Sequence, residues 1–315
     1  MNLSPIVLFV YNRPWHTKQT VEALQHCELS QESELYIFAD GPKTNATEEC
    51  RENIKAVREY ICNIKGFQSI HIEEAPVNKG LANSVISGVS KVIEKREKVI
   101  VVEDDIVAHP FFLRFMNEML EFYEHRQKIF AISATMEYFQ IPVKYKKDVF
   151  LTYRFGSWGW ATWRNRWETI NWDITTYPVF VKETSAKIKR FNRGGDNLWP
   201  MLQAQRNGEI NSWAIRLGYN MSVQNRFCLR PIWSFVNNIG MDSSGVHCGN
   251  DPITLLPQYN RPLYDLRMDN CIKPNRQVNA NIQKNFRIDK KNRHCFKRII
   301  KRLLSKMNKK DESIL

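Results

Sequence analysis

The chain has 315 residues, 43% of them hydrophobic and 12% aromatic, with a formal net charge of +13. Those proportions exclude a disordered chain, and no run approaches the roughly 20 apolar residues that cross a bilayer. The charge is uneven: residues 284–310 carry twelve Lys or Arg against one Asp, while residues 1–283 net only +4. That distribution argues for a local electrostatic device near the C-terminus and against a body-wide nucleic-acid surface.

In chain order, MNLSPIVLFVYNRPWH lacks a basic n-region and has too short an apolar run for a signal peptide, so Ile6–Tyr11 reads as a first strand. Helical periodicity follows from about Thr17 to Cys27. Leu35–Ala39 is a second strand, stopped by the turn Asp40-Gly41-Pro42, and a charged helix covers about Ala46–Asn63. Ser69–Glu74 alternates as a third strand, and Leu81–Lys95 forms a helix. Val99–Val102 is the most apolar strand, which predicts a central position buried on both faces. A helix over Phe111–His125 and a strand over Ile129–Ser133 complete the pattern.

Strands separated by such helices imply a parallel sheet with right-handed crossovers, a Rossmann-like half over residues 1–135. From residue 136 aromatics and turn residues crowd together, with helical signals at Asp196–Asn207 and Trp213–Tyr219. Residues 136–283 therefore read as a mixed α/β half packed on the first without a linker. The seven cysteines are odd in number and show no CxxC or zinc spacing, as expected of free thiols in a reducing cytoplasm.

One stretch stands apart. Val99-Ile-Val-Val-Glu-Asp-Asp-Ile-Val107 sets three carboxylates at a strand end, where open α/β sheets place ligands. Alternation along the strand predicts Glu103 and Asp105 on one side and Asp104 on the other. Clustered carboxylates disfavour folding unless a cation compensates, and a hard divalent ion shared with substrate phosphates would do so. The alternative is a solvated turn that caps the helix after Pro110.

Several further motifs accompany it: Pro5-Ile-Val-Leu-Phe-Val-Tyr-Asn-Arg13, Phe38-Ala-Asp-Gly41, Asn78-Lys-Gly-Leu81, Gly159-Trp160, and Arg230-Pro231 leading to Gly245-Val-His247. In this order and spacing the chain resembles glycosyltransferases of the GT-A fold. Among these it is most similar to the Golgi α-mannoside β-1,2-N-acetylglucosaminyltransferase family and its bacterial relatives, over about residues 5–247. The resemblance implies that the acidic run is the family's metal motif. Asp105 then coordinates Mn2+ or Mg2+ bridging the UDP phosphates, and Glu103 and Asp104 contact the nucleotide-sugar.

Carried over in the same way, Arg13 faces the diphosphate and Asp40 accepts from the uracil N3–H. Asn78-Lys79-Gly80 opens a helix whose amides, with Lys79, attract an anion. The plainer readings are a surface salt bridge for Arg13, a turn residue for Asp40 and a simple helix start for the third. Asn237–Asn250 matches a loop that orders over the donor, with Ser244 and His247 at the phosphates; His247 is a second possible metal ligand or an ordinary polar residue. Trp158, Gly159 and Trp160 are expected to floor a sugar, and Trp163 and Trp167 to pack in the core. The spacing of Trp160, Trp163 and Trp167 is also helical.

An inverting transferase needs a carboxylate base. Where the family has Trp-Asp-Asp-Trp-Met-Arg, this chain has Ile210-Asn211-Ser212-Trp213-Ala214-Ile215-Arg216, so both acids are missing. Glu209 and Asp196 are the nearest substitutes, and Asp242 a third.

In the tail, Phe296, Ile299, Ile300, Leu303, Leu304 and Met307 recur on one helical face among Lys and Arg. Such a helix suits an anionic leaflet or docks on its own domain. The expectation is a cytoplasmic enzyme peripheral to the inner face of the plasma membrane. It would move a sugar from a nucleotide-diphosphate donor to a glycan or lipid-linked glycan in surface polysaccharide biosynthesis. The competing readings are a sugar-phosphate nucleotidyltransferase, which lacks support because Tyr11-Asn-Arg-Pro14 replaces a Gly-rich loop, and a non-catalytic membrane- or nucleic-acid-binding module on a degenerate transferase fold.

Overall fold

The computed structural model describes residues 2–136, 139–178, 185–242 and 266–287. The basic tail beyond residue 287 and the residues Ser244 and His247 lie outside this set.

In chain order the first half runs β1 (Ile6–Val10), α1 (Pro14–Gln25), β2 (Glu34–Ala39), α2 (Glu48–Ile61), β3 (Ser69–Glu74), α3 (Leu81–Ile93), β4 (Lys98–Glu103), β5 (Ile106–Ala108), α4 (Phe112–Phe122) and β6 (Ile129–Ser133). Every strand and helix expected there is present. The second half runs β7 (Val149–Thr152), β8 (Trp160–Trp163), α5 (Arg164–Trp167), α6 (Ser185–Phe191), α7 (Leu198–Arg206), α8 (Trp213–Val223), β9 (Phe227–Pro231), β10 (Val236–Asn238) and α9 (Arg276–Asn285).

One mixed sheet of eight strands, ordered β3-β2-β1-β4-β8-β6-β9-β7, joins both halves, and β5 pairs with β10 in a separate ribbon. The run β3-β2-β1-β4 is parallel, whereas β8 is antiparallel to both β4 and β6. β4 is central, as its apolar sequence implies.

The strands are buried on both faces because helices cover both. Ile6, Leu8, Val10, Ile100 and Val102 face α1, α2 and α4 through residues such as Val21, Val57 and Phe112. Val7, Phe9, Val99 and Val101 face α3 and α8 through Val85, Val89 and Leu217. Gly88 lets α3 approach closely: a Cβ there would stand 2.7 Å from the Phe9 ring and 3.0 Å from the Phe38 ring. The outer strand β7 is covered by α9, whose Asn279 donates to the Leu151 carbonyl at 2.9 Å. That contact shields a sheet edge which would otherwise offer unpaired backbone groups.

Local chemistry starts the helices. Pro14 fixes the first turn of α1. Thr47 caps α2 by accepting from the Cys50 N–H, with Glu48 and Glu49 complementing the helix dipole. Ser212 caps α8 by accepting from the Ile215 N–H at 3.3 Å.

Candidate active site

Strand order reverses at β1: β2 and β3 lie on one side of it, and β4 on the other. Beyond the paired carboxyl ends of β1 and β4 lies the usual ligand position of an open α/β sheet, the crevice of this fold. β1 delivers Arg13 to this crevice, and β4 delivers Glu103, Asp104 and Asp105.

The expected alternation of the three acids does not hold. β4 ends at Glu103, and Asp104 and Asp105 form a turn before β5. Both aspartates therefore face Arg13. The Arg13 Nε donates to Asp104 Oδ2 at 3.2 Å, Nη2 also donates to Asp104 Oδ1, and Nη2 donates to Asp105 Oδ2 at 3.0 Å. Arg13 is not a surface salt bridge, since its side chain is only 16% exposed. Nor is the acid run a solvated cap: Asp104 and Asp105 are buried, and α4 begins without a side-chain cap. The turn is held from two directions, by the Thr20 hydroxyl on the Asp104 carbonyl at 2.8 Å and by the Ile239 N–H on the Asp105 carbonyl at 2.9 Å.

Charge in the crevice is unbalanced. Burial raises the Glu103 carboxyl to about 8, Asp105 and then Asp104 add to that, and Arg13 opposes it. Asp104 is also raised, because burial outweighs its bonds to Arg13. Burial acts to lower Arg13, yet the two aspartates overcome it and raise the guanidinium. Two aspartates on one guanidinium, with a third acid beside them, leave a deficit of positive charge that a hard divalent ion would relieve. The oxygen-only donor set fits Mg2+ or Mn2+. Among the described residues no three His, Cys, Asp or Glu side chains form a ready-made cage. Such an ion would therefore draw further ligands from a bound phosphate, as Mg2+ commonly does.

Asp40 follows β2 on the same sheet edge. Its carboxylate accepts four hydrogen bonds: from the N–H groups of Gly41 at 2.9 Å, Lys79 at 2.8 Å and Gly80 at 3.0 Å, and from Asn78 Nδ2 at 2.9 Å. It caps α3 across 39 residues of chain, since Gly80 at the N-cap has no side chain for that task. The amides expected to attract a phosphate thus hold Asp40. The Lys79 ammonium projects outward, 3.9 Å from Glu73.

The aromatic expectation divides. Trp163 and Trp167 are core residues, 2% and 3% exposed. Trp160 is a correction: it is fully buried in β8, stacked between Trp167 and Trp213 with centroids at 5.9 and 5.1 Å. An indole in mid-sheet cannot floor a sugar. The spacing that reads as helical is in fact a strand through Trp163 followed by one turn of α5. Gly159 adopts φ +58, where its hydrogen faces Phe112 and Val236. Trp158 is half-buried against the first core.

The proposed bases do not join the acid triplet. Asp196 accepts from Gln283 of α9, beside β7. β7 is four strands from β4, on the order of 19 Å at about 4.8 Å per strand. Glu209 accepts from its neighbour Asn207 at 2.9 Å. Asn211 binds Arg216 and Ser212 caps α8, so the segment matching the family's acidic stretch serves the helix.

Sequence reasoning missed His16, whose Nε2 lies 3.0 Å from Asp242 Oδ2. His16, Thr17 and Thr20 follow Arg13 at helical spacing and are buried, a polar stripe on α1 turned to the crevice. The signal was present as polar residues at i, i+3, i+4 and i+7 where an apolar face would be normal. Gly240 was also overlooked: a Cβ there would overlap the Asp105 carboxylate and stand 3.0 Å from Arg13 Nη1.

No protein-family model matches the chain, and no curated protein does. The solved structures similar to it include S. aureus TarS, at 13% identity and TM-score 0.30 over 46% of this chain and 24% of that one. Mannosyltransferase PcManGT from Pyrobaculum calidifontis in complex with GDP-Man and Mn2+ aligns at 11% and 0.29 over 42% and 35%. UDP-glucose pyrophosphorylase complexed with UDP-glucose aligns at 11% and 0.35 over 75% and 93%. The chain thus spans only about a quarter and a third of the first two proteins. Likenesses of this size carry neither activity nor substrate.

Proposed function

We propose that the protein is a divalent-metal-dependent glycosyltransferase that takes its sugar from a nucleoside diphosphate, UDP in the first instance. One observation carries this reading: at the point where strand order reverses, Arg13 bridges the buried Asp104 and Asp105, with Glu103 next to them, and the cluster is short of positive charge. A metal-bound diphosphate supplies the missing charge there and occupies the usual ligand position. Asp105, with Asp104 beside it, would hold Mn2+ or Mg2+, which offsets charge on the departing nucleotide when bound. Arg13 is a permanent cation suited to the phosphates, and Glu103 shapes the wall next to them.

For the acceptor proton, Asp242 replaces Asp196 and Glu209 as the favoured base. Its side chain is 45% exposed, and it contacts His16, three residues along α1 from Arg13. In an inverting transfer Asp242 would take the proton of the acceptor hydroxyl as its oxygen bonds to the anomeric carbon, and the bond from that carbon to the nucleoside diphosphate breaks, releasing the diphosphate. Asp242→Asn should lower kcat by about a hundredfold or more while UDP binding stays unchanged; unaltered turnover would remove Asp242 from that role.

The acceptor is proposed to be a glycan or lipid-linked glycan of a surface polysaccharide, reached from the cytoplasmic face through the basic tail. Calorimetry of UDP with and without Mn2+ tests the core of this proposal. Metal-dependent UDP binding supports it, and absence of any UDP affinity in Mn2+ refutes it.

A further inference from the structure

Arg13 does more than line the crevice. Its guanidinium spans two carboxylates from one corner, Nε and Nη2 on Asp104 and Nη2 again on Asp105. The Asp105 oxygen bound by Arg13 is also the oxygen that the Gly240 backbone closes over. The remaining guanidinium nitrogen, Nη1, is fully buried and has no hydrogen-bond partner. A charged donor left without an acceptor is unfavourable, and a residue held this way gains by moving to a better anion.

From this we infer that Arg13 is the resident counter-ion of the acidic turn, and that a divalent cation and Arg13 occupy Asp104 and Asp105 in alternation. The inference rests on the nucleotide-sugar reading above. Entry of the cation displaces the guanidinium from the two carboxylates. Once free, its planar fork matches a phosphate, which lies within the same crevice and offers Nη1 the acceptor it lacks. Cation and nucleoside diphosphate therefore bind cooperatively. Each alone must break the Arg13 bridge without full compensation, and together they exchange it for metal–carboxylate and guanidinium–phosphate contacts. By linkage the coupling is reciprocal: UDP strengthens Mn2+ binding by the factor by which Mn2+ strengthens UDP binding.

The test uses the full chain with Mn2+ and UDP as probes, reading free Mn2+ by electron paramagnetic resonance and heats by calorimetry. For the wild type, weak binding of Mn2+ alone and a gain of about tenfold or more with UDP are expected. In Arg13→Ala, Mn2+ alone should bind about tenfold more tightly than to the wild type, and the gain from UDP should shrink. Arg13→Lys keeps the charge but cannot span both carboxylates, so its Mn2+ affinity should fall between the two. It serves as the deciding variant if Arg13→Ala does not fold. Equal Mn2+ affinity in wild type and variant overturns the inference while leaving joint UDP–Mn2+ binding, and so the proposed function, intact. No UDP-dependent Mn2+ binding by the wild type would overturn both.

Discussion

The Glu103 carboxyl, raised to about 8 by burial and its acidic neighbours, keeps its proton through neutral pH when no cation is present. Its folded value lies above the ordinary 4.5, so the stability it carries is complete below about pH 4.5 and is lost as pH rises through about 8. Denaturant unfolding in chelator should show a decline on the order of a few kcal/mol between pH 5 and pH 8. Glu103→Gln should flatten that slope, and a slope that survives the substitution would place the titrating group elsewhere. Asp40 acts through its hydrogen bonds, as a cap with four donors. Asp40→Ala removes the cap of α3 and leaves the buried Gly41 N–H without its partner, which should cost about 1–3 kcal/mol, read by urea midpoint. The burial of Cys27 pushes its thiol up to about 12. Iodoacetamide at pH 8 should spare it and label the exposed Cys62 and Cys271. At this scale the acid run was legible, because three charges at the end of an apolar strand have few explanations. Its geometry was not, because alternation holds only while the strand continues, and β4 stops at Glu103.

Elements explain what single residues leave open. β1 to β4 could be read from short β-branched runs punctuated by turns, and their parallel direction follows from the helices between them. β7 to β10 could not, since their three to five residues are too few to establish a period and their partners are distant in sequence. Gly159-Trp160 drew a sugar-binding reading for the same reason: nothing local distinguishes an indole on a loop from one inside a sheet. The stack of Trp167, Trp160 and Trp213 makes β8 the link between the two halves. Trp160→Ala should cost about 3–5 kcal/mol. Trp160→Phe should cost clearly less, because the buried indole N–H has no partner to lose. Gly88 tests the packing of α3 on the sheet. Alanine would favour the helix by about 1 kcal/mol, but overlap with Phe9 and Phe38 costs about 1–3. Net destabilisation is expected for Gly88→Ala, and a more stable variant would contradict this packing.

For the molecule as a whole, a single eight-stranded sheet carries a parallel half and a mixed half, and the crevice lies where the parallel order reverses. No helix among the described residues is long and apolar enough to cross a membrane. The proposed association with a bilayer rests on the basic residues after position 287. Removing residues 292–310 should weaken binding to anionic vesicles and leave UDP binding unchanged; vesicle binding that persists would move the contact to the body. The proposed chemistry depends on one liaison, between the acidic turn and a metal-bound pyrophosphate. It is tested most directly by calorimetric titration of UDP into the full chain, with Mn2+ and with chelator, for wild type and Asp105→Asn. The expected result is binding in Mn2+ that chelator or Asp105→Asn abolishes. UDP affinity that ignores both metal and Asp105, or no affinity in either condition, would contradict it.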